Sequence, residues 1–553
     1  MMLLFKKHLK LIGALLATGA LALGTATPAV AQSTGKKPNI LVIMGDDVGW
    51  SNVGAYNQGL MYQTTPNIDQ MAKDGMRFTD YYAEASCTAG RANFITGEIP
   101  LRTGMTTVGQ AGSPIGFPDA APTIANSLRS LGYATGQFGK NHLGDRNSML
   151  PTAHGFDEYF GYLYHLNAME DPFWNTYPTE WIKTVGPRNL VHSWATNVDD
   201  PTDQPRWGKV GKQRIVDEGP LPPGPKPGIK YDMTTFDEVI TQSTIDFMAK
   251  AKAAGKPFFV WMNPTRAHVN TYLSAKYEAT RNHETGWGLE EAAMKQLDDN
   301  VGVVLKWVKD QGLEQDTVVI FTTDNGAEVY TWPDGGTTPF AGAKGEVKDG
   351  GYRVPAIIKW PGHVPPGTVS NGLMSGLDWF PTLTSIAGNP HVKDQLLKGA
   401  SIDGKTFKVH LDGYDQTALI TGTGPSNRHE VFYFAQRTLG AVRVDDWKYT
   451  FLSQPQGWIG PVLRPNMPVL TNLRMDPYER MGWPNNGFAE GSIGYWDSFK
   501  HEMWRFQLVA QVIAENVPSF IEYPPMQAGA GFSTGDLKEK VEAAIAAAKA
   551  NGD

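Results

Sequence analysis

Cysteine is almost missing from this chain. Cys87 is the single thiol among 553 residues, so no internal disulfide can form, and stability rests on core packing and on any bound metal. A basic excess is missing too. Forty-nine Lys and Arg stand against 56 Asp and Glu, a formal charge of −7 with no basic cluster, which argues against a nucleic-acid partner. Beyond the N-terminal segment no apolar run is long enough to span a bilayer. No internal repeat is present.

The N-terminal segment itself has a clear pattern. Lys6, Lys7, His8 and Lys10 precede an apolar run from Leu11 to Leu23, and Ala29-Val30-Ala31 stands before Gln32. A charged start, a short apolar core and a small-residue exit predict a secretory signal peptide over residues 1–31. With no cysteine near the cleavage site, a lipid anchor is not expected. The mature chain is expected in the periplasm or outside the cell, with no membrane anchor after cleavage. A lone thiol in an exported chain invites the question of its use.

The remainder has an ordinary globular composition, 41% hydrophobic and 19% charged. "NILVIM" (Asn39 to Met44), "FFVWMN" (Phe258 to Asn263) and "TVVIFTT" (Thr317 to Thr323) are continuous apolar runs, as expected of strands buried on both faces. Each leads into polar residues. Helical stripes lie between them: Phe236, Val239, Ile240, Phe247 and Met248, with Thr234 and Asp237 spaced as a capping box; and Met294, Leu297, Val301, Val304, Leu305 and Val308, ended by Gly312. Ile124, Leu128 and Leu131 make a shorter third.

This alternation predicts an α/β fold: a large mixed, mostly parallel sheet sandwiched by helices. After about residue 425, "EVFYFAQRTLGAVRVDDWKYTFL" alternates like a short antiparallel sheet. The expected organisation is a main domain over 37–425 and a smaller C-terminal α+β subdomain over 426–553, ending in a helix that carries Leu537, Val541 and Ile545. Residues 157–232, aromatic and then Pro/Gly-rich, show little periodicity and are read as an insertion over the sheet edge.

The polar clusters fall where ligands gather, beyond the carboxyl ends of the strands. Asp46-Asp47 and Asp324-Asn325 each follow a buried strand. Carboxylates crowded at one edge repel each other, a hard divalent cation relieves the conflict, and oxygen-only ligands select calcium or magnesium over zinc. "GYATGQFGKNHLG" (Gly132 to Gly144) places Lys140 and His142 in a glycine-rich segment that lets backbone approach a ligand. Lys344 lies in a second glycine-rich loop, where its ammonium can meet an anion. His268 follows a strand as a candidate acid or base. Taken singly, each of these residues fits an ordinary turn, surface or core position equally well. Cys87 precedes "RANFITG", which has the look of a helix beginning. A thiol there sits in the positive field of the helix terminus, which lowers its pKa and makes it reactive.

Together these segments carry a specific resemblance. Cys87-Thr88-Ala89-Gly90-Arg91 followed by Thr96-Gly97 resembles the signature of the formylglycine-dependent (type I) sulfatases, C-x-[PA]-x-R with a downstream T-G. "GYATGQFGKNHLG" resembles their second signature at every fixed position. "DNG" at Asp324, "DGGYRVP" at Asp349 and "TNLRMDPYER" at Thr471 also fit. The resemblance runs in order from Asn39 to about Arg480 and points to an arylsulfatase-like member of the alkaline phosphatase superfamily, with 37–425 as its catalytic domain.

The resemblance implies that Cys87 is converted to formylglycine, whose hydrate supplies an oxygen nucleophile. It also implies that Asp46, Asp47, Asp324 and Asn325 hold calcium, with residue 87 touching the ion and magnesium as the alternative. Arg91 would hold the modified residue, while Lys140, His142, His268 and Lys344 surround the sulfate. His268 or Lys344 would protonate the leaving alcohol, and His142 would take the proton when the nucleophile is regenerated. The implied partners are a small-molecule or carbohydrate sulfate ester and a maturation enzyme that generates formylglycine. Ala89 stands where many relatives carry proline, which bears on the maturation route. Two other readings compete: a phosphonate monoester or phosphodiester hydrolase on the same scaffold, and a non-catalytic anion-binding protein. Tyr162, Tyr164, Phe173 and Trp174 are candidates either for a substrate pocket or for packing the insertion onto the sheet.

Overall fold

The computed structural model describes residues 36–482, 493–532 and Val541. The predicted signal peptide, and Leu537 and Ile545 of the predicted terminal helix, lie outside the described residues. Ten strands share one sheet: β1 (Asn39–Gly45), β2 (Met76–Phe78), β3 (Ala134–Lys140), β4 (Glu158–Tyr162), β5 (Leu190–Gln204), β6 (Gly208–Gly219), β7 (Phe258–Asn263), β8 (Thr317–Thr323), β9 (Ala356–Lys359) and β10 (Thr368–Ser370). Their order is β10-β2-β9-β8-β1-β7-β3-β4-β5-β6. The central strands β8, β1, β7, β3 and β4 pair in parallel. Antiparallel pairs appear on both flanks.

The apolar run of β1 is continuous because both of its faces are covered. Ile40, Val42 and Met44 point into one core, Leu41 and Ile43 into the other. The helices α1 (Pro66–Asp74), α2 (Cys87–Thr96), α3 (Ile124–Ser130), α4 (Phe236–Ala253), α5 (Leu289–Asp310) and α6 (Trp379–Ile386) divide between them. The first core takes Phe94 and Ile95 of α2, Leu128 of α3 and Leu383 of α6. The second takes Ile68 of α1, Ile240 and Phe247 of α4, and Leu297 and Val301 of α5. Each such buried side chain contributes roughly 1.5–3 kcal/mol, which is how a chain without disulfides holds this sheet.

Three local expectations need correction. The helix begins at Cys87 itself, not at Arg91, with Ser86 as its extended N-cap residue and Gly97 ending it at φ +67°. The Thr234/Asp237 capping box does not form. Thr235 occupies the N-cap without a side-chain cap bond, and the Asp237 carboxylate instead accepts from the backbone N–H groups of Thr265 (2.7 Å) and Arg266 (3.3 Å). Residues 157–232, read as nearly without periodicity, carry β4, β5 and β6 and extend the sheet. The pattern was hidden because from Asn197 onwards β5 is almost wholly exposed, so no apolar face marks its alternation.

The C-terminal region forms a separate four-stranded antiparallel sheet from β11 (Glu430–Ala435), β12 (Thr438–Val444), β13 (Trp447–Thr450) and β14 (Val469–Asn472). Buried charge joins it to the main body. Asp349 accepts from the hydroxyls of Tyr82 and Tyr433 at 2.9 Å and from Lys448 Nζ at 3.1 Å. Its own N–H donates to Glu479 at 2.7 Å, and Glu479 pairs with Lys448 at 3.0 Å. Burial would raise the Asp349 carboxyl, but Lys448, Arg353 and Arg443 hold it down at about 2. The "DGGYRVP" and "TNLRMDPYER" segments thus meet in this join. Because removing one partner leaves the other charges buried and unpaired, Asp349→Ala is expected to cost about 3–5 kcal/mol of unfolding free energy. A urea titration checks this, and a shift under about 1 kcal/mol would mean the network relaxes freely.

Candidate active site

The strand ends converge as the topology requires. Asp46 and Asp47 follow β1, Lys140 ends β3, Asn263 ends β7, and Asp324 and Asn325 follow β8. All are buried. Two glycines allow the close packing. A Cβ on Gly90 of α2 would lie 1.7 Å from the Asp324 carbonyl oxygen, and one on Gly139 of β3 would lie 1.9 Å from that of Asn263.

Carboxylate oxygens of Asp46, Asp47 and Asp324 lie within 4.8 Å of one another. The Cys87 sulfur lies within the same distance of oxygen or nitrogen atoms of Asp46 and His268. Three cations neutralise the carboxylates. Lys140 Nζ donates to both oxygens of Asp46 at 2.7 and 2.8 Å. Lys344 Nζ bridges Asp47 at 2.6 Å and Glu328 at 2.7 Å. Arg91 donates from Nε to Asp324 at 2.9 Å and from Nη1 to Asn263 at 2.8 Å and the Lys140 carbonyl at 3.2 Å. Its Nη2 pairs with Asp324 at 2.8 Å and more loosely with Asp46 at 3.4 Å. Arg91, expected to hold residue 87, directs its hydrogen bonds to Asp324, Asn263 and the Lys140 carbonyl.

The donor set fits a hard divalent ion. Besides the three carboxylates, the buried Oδ1 of Asn325 has no hydrogen-bond donor, while its Nδ2 donates to Asp47 at 2.7 Å and to the Gly326 carbonyl at 2.9 Å. An orphaned amide oxygen beside three acids is what an oxygen-seeking cation requires.

The field around Asp47 decides its charge. Burial favours the neutral acid, but Lys344, His268 and Lys140 together hold its carboxyl far below the usual range. Lys344 is pushed the other way: burial would lower it, while Asp47, Cys87 and Glu328 raise it well above an ordinary lysine. Burial raises Glu328 to about 7 against the pull of Lys344. The thiol expectation is overturned. Burial pushes Cys87 up to about 12, with Lys140 and Lys344 opposing and Asp324 and Asp47 adding to the rise. Desolvation of a thiolate outweighs the helix field.

The histidines are held neutral, and their partners fix their tautomers. Burial, aided by Lys140 and His165, lowers His142 well below its ordinary value. Its Nε2 lies 3.1 Å from the Gly109 carbonyl, which only accepts, so the ring proton sits there and the buried Nδ1 keeps a lone pair without a partner. Burial takes His268 down to about 3 despite Asp47. Its Nδ1 donates to the Val269 carbonyl at 2.8 Å, leaving the Nε2 lone pair 3.7 Å from Asp47.

Every residue singled out from the sequence for the site lies in this cluster or on its wall. Glu328, Asn263 and His165 are additional members. A polar residue closing the apolar run "FFVWMN" was the one signal that pointed to Asn263. The aromatic candidates separate: Tyr162 and Tyr164 are buried and serve packing, whereas Trp174 is exposed.

The sulfatase family profile matches residues 38–389. Human arylsulfatase A is 32% identical over 437 residues, covering 77% of each chain. The N-acetylgalactosamine-6-sulfatase of dog (Canis lupus familiaris) is 31% identical over 432 residues, 76% of this chain and 73% of that one. Among solved structures, the PsFucS1 sulfatase from Pseudoalteromonas sp. superposes with a TM-score of 0.72 at 26% identity, covering 89% of this chain and 92% of the other.

Proposed function

The chain belongs to the sulfatase family of sulfate ester hydrolases, and on that premise we propose that it cleaves a sulfate monoester to alcohol and inorganic sulfate through a nucleophile derived from Cys87. The observation that carries the reading is the meeting of Cys87 with Asp46 and His268 beside the three-carboxylate set. Oxidised to formylglycine and hydrated, residue 87 supplies an oxygen nucleophile where the raised thiol of cysteine would be inert. Asp46, Asp47, Asp324 and Asn325 would hold calcium, which supplies positive charge at the sulfate oxygens.

The remaining roles belong to this chain's own side chains. Lys140 and Lys344 present fixed positive charge to an anion whose negative charge shifts toward the leaving oxygen during displacement. Arg91 holds Asp324 and Asp46 in register and keeps three carboxylates from repelling one another. Between the two candidates for leaving-group acid, Lys344 is favoured. It is charged, whereas His268 is neutral with its proton committed to Val269. His142, with Nε2–H fixed on Gly109 and Nδ1 free, would take the proton released at residue 87 as the nucleophile is regenerated.

The same reading assigns catalysis to residues 37–425, support to 426–553, and export to the N-terminal segment, followed by conversion of Cys87 by a maturation enzyme that accepts Ala89. The substrate class is a small-molecule or carbohydrate sulfate ester. Turnover of an aryl sulfate is expected to exceed that of an aryl phosphodiester by at least about tenfold, the ratio that one modest transition-state contact provides. A preference for the diester would replace this reading with a phosphodiesterase on the same scaffold.

A further inference from the structure

A pocket of about 170 Å³ lies between the segment that follows α2 and a C-terminal strap. Met105, Val108 and Ile115 line it from the first, Ala530 and Phe532 from the second. The strap follows the helix Arg505–Glu522 and is pinned to the main body. The N–H groups of Met526 and Ala530 donate to the carbonyls of Arg102 (2.8 Å) and Gly104 (3.0 Å), and Thr106 Oγ1 donates to the Ala530 carbonyl at 2.5 Å. The Phe532 N–H reaches Gln436, in the turn between β11 and β12, at 2.6 Å.

Two groups of the reaction bracket this pocket. Its lining includes Thr88, the residue after Cys87, and Gly109, whose carbonyl lies 3.1 Å from His142 Nε2. Phe532 meets Trp458 edge-on with ring centroids 5.9 Å apart. Trp458 in turn lies against Gly345, where an added Cβ would come within 3.2 Å of its ring. Gly345 adjoins Lys344, the favoured leaving-group acid. The pocket therefore runs from the neighbour of the nucleophile toward the neighbour of that acid.

Its chemistry is neutral. Among the described residues no ionisable side chain lines it. Four polar side chains do, and three are engaged within the protein. Thr88 donates to the His142 carbonyl and accepts from the Gly109 N–H, Ser113 accepts from the Ile115 N–H, and Gln110 donates to the Val108 carbonyl. Thr107 is the exception. It is 2% exposed, and its hydroxyl has no hydrogen-bond partner among the described residues, which a ligand would supply. A monosaccharide carries hydroxyls around its whole ring and would leave most of them unpaired here. An aromatic ring needs no such partners, and an apolar-lined cavity of about 150 Å³ is enough for benzene.

We propose that this pocket binds the alcohol portion of the substrate, and that its occupant is a single uncharged aromatic ring with one polar substituent meeting Thr107 Oγ1. This rests on the sulfatase reading above and specifies the ester as the monosulfate of an uncharged phenol.

The test compares Thr107→Val, Phe532→Ala and Phe532→Tyr with the parent on 4-nitrophenyl sulfate. Thr107→Val conserves volume and Phe532 is 42% exposed, so the fold should persist. KM is expected to rise about threefold to tenfold in Thr107→Val and about tenfold in Phe532→Ala, while Phe532→Tyr, which keeps the ring, stays within about threefold. The inhibition constant of inorganic sulfate, which does not enter the pocket, should move by less than about twofold in all three. 4-Carboxyphenyl sulfate, nearly the same shape with an added charge, should show a KM at least about tenfold higher in the parent. Unchanged KM in both Thr107→Val and Phe532→Ala would overturn the proposal. So would a sulfate inhibition constant that rises in step with KM, or a carboxylated ester bound as well as the nitro ester. If the parent hydrolyses no sulfate ester, the functional reading fails by itself. Calorimetric binding of 4-nitrophenol then decides the pocket: affinity lost in Thr107→Val and Phe532→Ala upholds it, and equal affinity overturns it.

Discussion

Cys87→Ala is expected to lower kcat/KM on an aryl sulfate by at least about 10⁴-fold, the scale on which enzymes lose activity when their covalent nucleophile is removed. The fold should survive. The side chain is small and almost completely buried, and its thiol is not among the hydrogen-bonding groups that hold the site together. Alanine suits the first turn of α2, where Cys87 stands. The contrast with a neighbouring cation is informative. Lys344→Ala removes one electrostatic donor and should cost about 10²–10³-fold, because Lys140 and Arg91 remain. A Cys87→Ala enzyme within tenfold of the parent would move the nucleophile elsewhere.

The second large effect concerns the carboxylate set. Exhaustive chelation is expected to reduce turnover by at least about 10²-fold, and calcium should restore it. Calcium should also raise thermal stability without any substrate present, by about 2.7 kcal/mol at a hundredfold excess over its dissociation constant. Asp47→Asn should weaken that stabilisation, since it removes one negative charge from the oxygen cluster while leaving a side chain of the same shape. Lys344 would lose one of its two carboxylate partners in the same variant, so the binding measurement, not the rate, isolates the metal. Full activity after chelation, together with a melting temperature indifferent to calcium, would contradict the assignment of Asp46, Asp47, Asp324 and Asn325.

The parts of the molecule legible in sequence were those with a redundant physical signal. "NILVIM" and "TVVIFTT" were readable as buried strands because both faces of β1 and β8 are covered, and the stripe from Met294 to Val308 because α5 is covered on one side only. The site residues were readable as a group because Asp46, Asp47, His268, Asp324 and Asn325 follow such strands and because several signatures occur in order. Single-residue events were not legible. His165 is one polar residue in an aromatic stretch, and nothing local marks His142 and His268, which its ring faces. Glu328 meets Lys344 only through a loop closure. Asp237 fitted a capping pattern, but two unpaired backbone N–H groups of the loop leading to His268 claimed its carboxylate. The Cys87 thiol was misjudged for a related reason: the helix field is local and visible in sequence, whereas desolvation by the folded core is not.

Mass spectrometry of the peptide containing residue 87, taken from protein that turns over an aryl sulfate, is the most direct measurement. An aldehyde or its hydrate in place of the thiol is the predicted result. Fully active protein in which every copy of Cys87 still carries its sulfur would contradict an oxygen nucleophile at that position.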